Sequence, residues 1–173
     1  MRRLLRRKVA TIAAVIISFT AIPAAGIVAS ASPALASTGY LCNGYGSHYC
    51  ADTTSLSYGY ELFLTIPASG ALFNKVDQHF TCCGGNEVYR LEFNQDPARC
   101  IGVPDNSTAV TVRECSGGDS TNVNWAELPQ PGGGVWWYSN SKGGMYLASD
   151  NTLGHALFVT YGCSGCYLNW FKI

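Results

Sequence analysis

From residue 37 onward the apolar residues never settle into the three-to-four-residue spacing of a helix face. Instead, short runs rich in β-branched and aromatic side chains alternate with clusters of Gly, Asn, Asp and Ser. That pattern predicts strands joined by turns, and hence an all-β chain. Three stretches end alike: Glu87-Val88-Tyr89-Arg90-Leu91-Glu92-Phe93, Asn122-Val123-Asn124-Trp125-Ala126-Glu127-Leu128 and Tyr167-Leu168-Asn169-Trp170-Phe171-Lys172-Ile173. Ahead of each comes a β-rich run closed by a Cys-containing turn, over Val76 to Cys82, Val110 to Cys115 and Leu157 to Cys163. Further upstream, hairpin-like pairs end at Tyr49-Cys50-Ala51-Asp52, Arg99-Cys100-Ile101-Gly102 and Met145-Tyr146-Leu147-Ala148.

A unit repeated at this interval cannot bury its own apolar face and shares a core with its copies. Three copies of about four short strands close most economically into a pseudo-threefold barrel capped by hairpins, which removes most open edges. The expected fold is a β-trefoil of three divergent pseudo-repeats, with units at approximately 38–90, 91–128 and 129–173. An open sandwich would show similar turn spacing but gives no reason for a threefold ending. The segment Tyr60-Glu61-Leu62-Phe63-Leu64-Thr65-Ile66 reads as extra length within unit one, a protruding loop or additional strand.

The amino terminus belongs to a different class. Arg2, Arg3, Arg6, Arg7 and Lys8 precede an uncharged run from Val9 to Val28, which leads into Ala34-Leu35-Ala36. This is a secretory signal peptide over residues 1–36, cut after Ala36. Pro23 and Gly26 break the run, and a membrane-spanning helix needs ~20 unbroken apolar residues. Arg6-Arg7-Lys8-Val9 lacks the hydrophobic pair of a twin-arginine signal, so the general secretory route is expected. Removing the leader leaves six cations against eleven acids on residues 37–173, a net charge of −5. An acidic domain offers no electrostatic footprint for nucleic acid or an anionic membrane. The expected product is a secreted, extracellular monomer that leaves the membrane after signal cleavage.

All eight cysteines (Cys42, Cys50, Cys82, Cys83, Cys100, Cys115, Cys163 and Cys166) follow the leader, as expected of a disulfide framework in an exported protein. The repeat pairs Cys100 with Cys115 and, by analogy, Cys50 with Cys82 or Cys83. Cys42 would take whichever of that pair remains, and Cys163 would close on Cys166. A direct Cys82–Cys83 bond is a further variant. Cys163-x-x-Cys166 has zinc-ligand spacing and His79 stands near Cys82, but a structural zinc site usually needs two such pairs. Neither a metal nor a cofactor is expected.

Arg99-Cys100-Ile101-Gly102-Val103, the run to Cys115-Ser116-Gly117-Gly118, and Asn124-Trp125 together resemble the ricin-type lectin domains of secreted bacterial proteins. The resemblance is clearest from Tyr89 to Ile173. It implies a β-trefoil that binds carbohydrate, of galactose type or from a cell-wall glycan. Units in that family end in Gln-x-Trp, and a binding unit adds an Asp after the first cysteine and an aromatic just before the second. Here the Gln is missing from Val123-Asn124-Trp125 and Leu168-Asn169-Trp170, and Arg90 stands in the Trp position of unit one.

Carried across, the resemblance makes unit one the most competent. Asp52 would accept sugar hydroxyls, Gln78 would orient a third, and Phe80 would stack on the apolar C–H face. The plainer alternative puts Phe80 in the core and Asp52 in a turn. Unit two, with Gly102 and Arg113 in those positions, should not bind. Unit three offers Tyr161, with Ala148 in the Asp position and Asp150 two residues late. Of Trp136 and Trp137, strand alternation buries one and leaves the other partly exposed.

No enzymatic centre is expected. Glycoside hydrolysis needs two carboxylates held across a cleft, and no motif singles out a pair. His48, His79 and His155 stand beside no Gly-x-Ser-x-Gly elbow, and Gly132-Gly133-Gly134 lacks the Lys of a phosphate loop. Asn106-Ser107-Thr108 is a glycosylation sequon that chiefly marks a turn. The competing class is a secreted trefoil that has lost sugar binding and serves as an interaction or structural protein or a protease inhibitor.

Overall fold

In the computed structural model, residues 37–44, 49–116, 122–131, 133–162 and 164–172 are described. The expected leader and its cleavage point lie outside them. Twelve strands run in chain order: β1 Ser37–Asn43, β2 Cys50–Asp52, β3 Phe63–Thr65, β4 Leu72–Cys82, β5 Asn86–Phe93, β6 Asp96–Gly102, β7 Thr111–Glu114, β8 Asn124–Pro129, β9 Val135–Ser139, β10 Tyr146–Ala148, β11 Phe158–Thr160 and β12 Trp170–Lys172. One 3₁₀ turn, Pro67–Ser69, is the sole helical element among the described residues. No helix there is long and apolar enough to cross a membrane.

Antiparallel pairing runs β1–β4–β5–β8–β9–β12 and returns to β1, closing a six-stranded barrel. The hairpins β2–β3, β6–β7 and β10–β11 cap one end. This is the β-trefoil expected from the repeat.

The pseudo-threefold axis can be located in the backbone. The Leu62 N–H donates to the Val110 carbonyl (2.9 Å), Val110 to Leu157 (3.0 Å) and Leu157 back to Leu62 (2.8 Å). All three side chains are fully buried. A cyclic set of bonds satisfies the backbone groups where the three hairpins converge, a place water cannot reach. Beneath it, Leu64, Val112 and Val159 make a second apolar ring, and Phe73, Phe93, Trp125, Trp137 and Trp170 fill the barrel.

Strand register sets the true correspondence between units. Gly39 opposes Phe73, Tyr89 opposes Trp125, and Val135 opposes Trp170. Unit one therefore spans β1–β4, unit two β5–β8 and unit three β9–β12. Glu87–Phe93 opens unit two instead of closing unit one, so the first unit ends near Cys82 and not at residue 90. Phe73, not Arg90, occupies the Trp position of unit one. Tyr60–Ile66 contributes β3 itself, and the additional length lies in the β4–β5 hairpin, which carries a bulge between Asp77 and Thr81.

The disulfides follow this register. Cys100–Cys115 forms as expected, across β6 and the end of β7. Cys50 does not pair with Cys82 or Cys83. It stands directly opposite Cys42, with Cα atoms 3.9 Å apart, and bonds to it. Cys82 and Cys83 bond to each other at the far end of β4. Cys166 is disulfide-bonded, and its expected partner Cys163 lies outside the described residues.

Candidate functional site

Asp52 ends β2 at the capped end of the barrel, where Ala71 N–H bonds the Ala51 carbonyl at 3.0 Å. From Ala71 to Phe80, β4 climbs roughly 25–30 Å at about 3.3 Å per residue. Gln78 and Phe80 therefore sit beyond the opposite rim, away from Asp52. Alternation does not join them to each other either, because the bulge and the positive φ of His79 (58°) interrupt the strand between them. The Gln78 amide donates to the Val76 carbonyl at 2.9 Å, and Phe80 is exposed. The expected Asp52–Gln78–Phe80 constellation is thus not assembled.

Unit three fares likewise. Tyr146 pairs with Thr160, which sets the exposed Tyr161 at the opposite end of the β10–β11 hairpin from Asp150. Asp150 is already engaged: His155 Nδ1 lies 2.6 Å away and the Thr152 N–H donates to it at 3.0 Å. Burial pushes its pKa up, but these two partners hold it below the usual aspartate range.

What surrounds Asp52 instead is a polar cleft of about 180 Å³, lined by Asp52, Thr53, Thr54, Ser55, Leu56, Ala71, Phe93 and Gln95. The loop that walls it is ordered locally. Thr53 Oγ1 lies 3.0 Å from the Ser55 carbonyl oxygen and 3.1 Å from that of Glu61, its single proton shared between them, and Ser57 N–H donates to Ser55 Oγ (3.1 Å). Such hydroxyl-backbone bonds let Ser and Thr fix a loop without regular secondary structure. Gly59 turns the chain with φ of 86° and donates its N–H to Val112 O at 2.8 Å. Partial burial raises the Asp52 pKa, and an N–H bond from Thr53 opposes the rise. A partly desolvated carboxylate beside three hydroxyl side chains and an exposed amide is a good acceptor for ligand hydroxyls.

On the other side of the same loop lies a wider concavity of about 570 Å³, lined by Thr54, Gly59, Tyr60, Glu61, Phe63, Gly154 and Ala156. Thr54 borders both clefts. Tyr60 and the neighbouring Tyr58 are both about half exposed (48% and 50%), and the Tyr58 ring has the Arg113 guanidinium 4.3 Å from its centre. Register makes Thr65, Arg113 and Thr160 equivalent. The register position that precedes the second cysteine in unit two thus carries no aromatic in any unit, and Tyr60 presents an exposed ring in the neighbouring concavity, which shares Thr54 with the Asp52 cleft. Sequence reasoning overlooked Tyr60 and Gln95, although the match of Leu62-Phe63-Leu64 to Val110-Thr111-Val112 and Leu157-Phe158-Val159 identifies β3 and, with it, this loop.

Glu92, Cys100 and Cys115 bring potential ligand atoms together, but the two sulfurs are bonded to each other and offer no thiolate. Glu92 is instead paired with Arg90 at 3.2 Å.

The fold and its loop-borne clefts define the chain as a β-trefoil. No protein-family model and no curated protein sequence matches it. Among solved structures it resembles chicken interleukin-1β, with TM-score 0.61 and 11% identity over 78% of this chain and 94% of that one. It also resembles the designed threefold-symmetric protein ThreeFoil, with TM-score 0.60 and 16% identity over 79% and 99%. A mosquitocidal holotoxin matches with TM-score 0.64 and 14% identity over 78% of this chain and 17% of the toxin chain. At these identities the likeness concerns the fold alone.

Proposed function

We propose that this chain is a secreted, non-catalytic carbohydrate-binding protein of the ricin-type lectin kind, acting as a monomer through the unit-one cleft. The observation that carries this reading is Asp52: a partly desolvated carboxylate in a polar cleft, at the position where the resemblance puts the sugar-binding acid. The register supports that placement, since Asp52, Gly102 and Ala148 are equivalent and Asp52 alone of the three carries an acid. Asp52 and Gln95 would hold the hydroxyls of one galactose-type or cell-wall glycan residue, and Tyr60 would stack on the next across Thr54. The leader motif and the even cysteine number support export.

A second reading, a trefoil interaction protein without sugar sites, is favoured by the absence of aromatics at Thr65, Arg113 and Thr160. A glycan array separates the two. Saturable binding that falls at least tenfold in Asp52→Ala supports the lectin, on the scale of a lost hydrogen bond to a charged group. Silence across all glycans supports the interaction protein.

A further inference from the structure

A third cleft, in unit three, has different chemistry. It measures about 340 Å³ and lies between the β8–β9 turn and the segment entering β12, with Gln130, Pro131, Trp136, Tyr167 and Asn169 among its lining. That volume falls in the range of small-molecule sites. Among the described lining residues no side chain carries a charge.

Trp136 points outward because β9 buries Trp137 and Ser139 on its other face. Tyr146 meets the indole edge-to-face, 5.4 Å between centres, and fixes its orientation. The Gln130 amide nitrogen donates to Leu128 O at 3.1 Å, which leaves its oxygen to accept. The Asn169 side-chain oxygen is buried and meets no donor among the described residues. Gly134 makes this arrangement sterically feasible: its φ is 82°, and a Cβ there would stand 2.8 Å from Asn169 Oδ1.

We propose that this cleft is a second carbohydrate site, taking one neutral pyranose on the Trp136 ring with a hydroxyl on the Gln130 side-chain oxygen, while Asn169, its oxygen buried against Gly134, forms part of the wall. The proposal extends the lectin reading and rests on it for the ligand class. Neither Ala148 nor Thr160, where the resemblance would have put a unit-three site, is among the lining residues, although Tyr167 pairs with Ser149 beside Ala148. An aromatic face with an amide partner suits a sugar's C–H face and hydroxyls, and the lack of charge disfavours anionic or cationic ligands.

Trp136 is also the natural reporter, since Trp125, Trp137 and Trp170 are buried. The protein lacking its leader is titrated with methyl lactoside and with chitotetraose, following calorimetric stoichiometry and acrylamide quenching of tryptophan emission. The expected result is two sites per chain and a quenching constant lowered severalfold by ligand. Asp52→Ala should remove one site and keep the quenching protection, whereas Trp136→Ala should do the reverse. Should Trp136→Ala misfold, Gln130→Ala is expected to weaken the protected site about threefold to tenfold.

A single site lost in Asp52→Ala, with quenching unchanged by ligand, overturns the unit-three site and leaves the unit-one reading standing. A single site lost only in Trp136→Ala upholds the unit-three site and overturns the unit-one reading. No binding of either saccharide overturns both. Protection of Trp136 by a proline-rich peptide and by neither saccharide would assign the cleft to a peptide partner and overturn the proposal.

Discussion

Asp52 and Trp125 show how single residues divide the work between binding and stability. Folding raises the Asp52 pKa, so the native state holds that proton more tightly than the unfolded chain does. Its contribution to stability is therefore present at acid pH and is lost as pH rises through the raised value, which leaves an ionised carboxylate that disfavours the fold at neutrality. Asp52→Asn should accordingly melt at the same or a higher temperature than the parent at pH 7, with any advantage fading in acid, while glycan affinity falls. Thermal melts at pH 7 and pH 3.5 check this, and a lower melting temperature at pH 7 would contradict it. In the parent, affinity should begin to decline above the ordinary aspartate value of about 4 as pH is lowered. Trp125 is structural: fully buried, it donates Nε1–H to Ile101 O at 3.0 Å, as Trp170 does to Leu147 O at 3.0 Å. Trp125→Phe should lose about 1 kcal/mol for the bond plus a packing term, and Trp125→Ala about 3–5 kcal/mol, measured by urea denaturation.

Among the elements, the disulfides make the clearest contrast. Cys100–Cys115 closes a loop with a sequence separation of 15, for which the chain-entropy model gives about 3 kcal/mol. Cys82–Cys83 joins neighbours and closes almost no loop. The double variant Cys100→Ser/Cys115→Ser should therefore lose about 2–4 kcal/mol in chemical denaturation, whereas Cys82→Ser/Cys83→Ser should shift stability little. The same hairpin explains where the sequence misled. The threefold repeat, the Cys100–Cys115 bridge and the equivalence of Cys50, Cys100 and Tyr146 were legible because each rests on local strand and turn chemistry. The unit-one alignment slipped because β3 ends without a cysteine, Phe73 replaces Trp, and Cys82 ahead of Val88–Phe93 imitates the end of a unit. Strand register is a long-range property, and that imitation could be resolved only by seeing which strands pair. The misplaced Gln78 and Phe80 follow directly from it.

At the scale of the whole molecule, the barrel is a shared core on which surface loops diverge. The three hairpins meet through identical backbone bonds at Leu62, Val110 and Leu157, while their surroundings differ: an ordered Ser/Thr loop with Asp52 in unit one, whose Tyr58 is met by Arg113 from β7 of unit two, and the Asp150–His155 pair in unit three. Function belongs to those loops, since one fold carries many activities. The most direct test of the account is a ¹H–¹⁵N NMR titration of residues 37–173 with the best glycan from the array. Saturable shifts are expected to cluster at Asp52, Thr53, Thr54, Tyr60 and Gln95, with the Gln78–Cys83 hairpin tip unmoved. Shifts confined to that hairpin tip, or an array that yields no glycan to titrate, would contradict it.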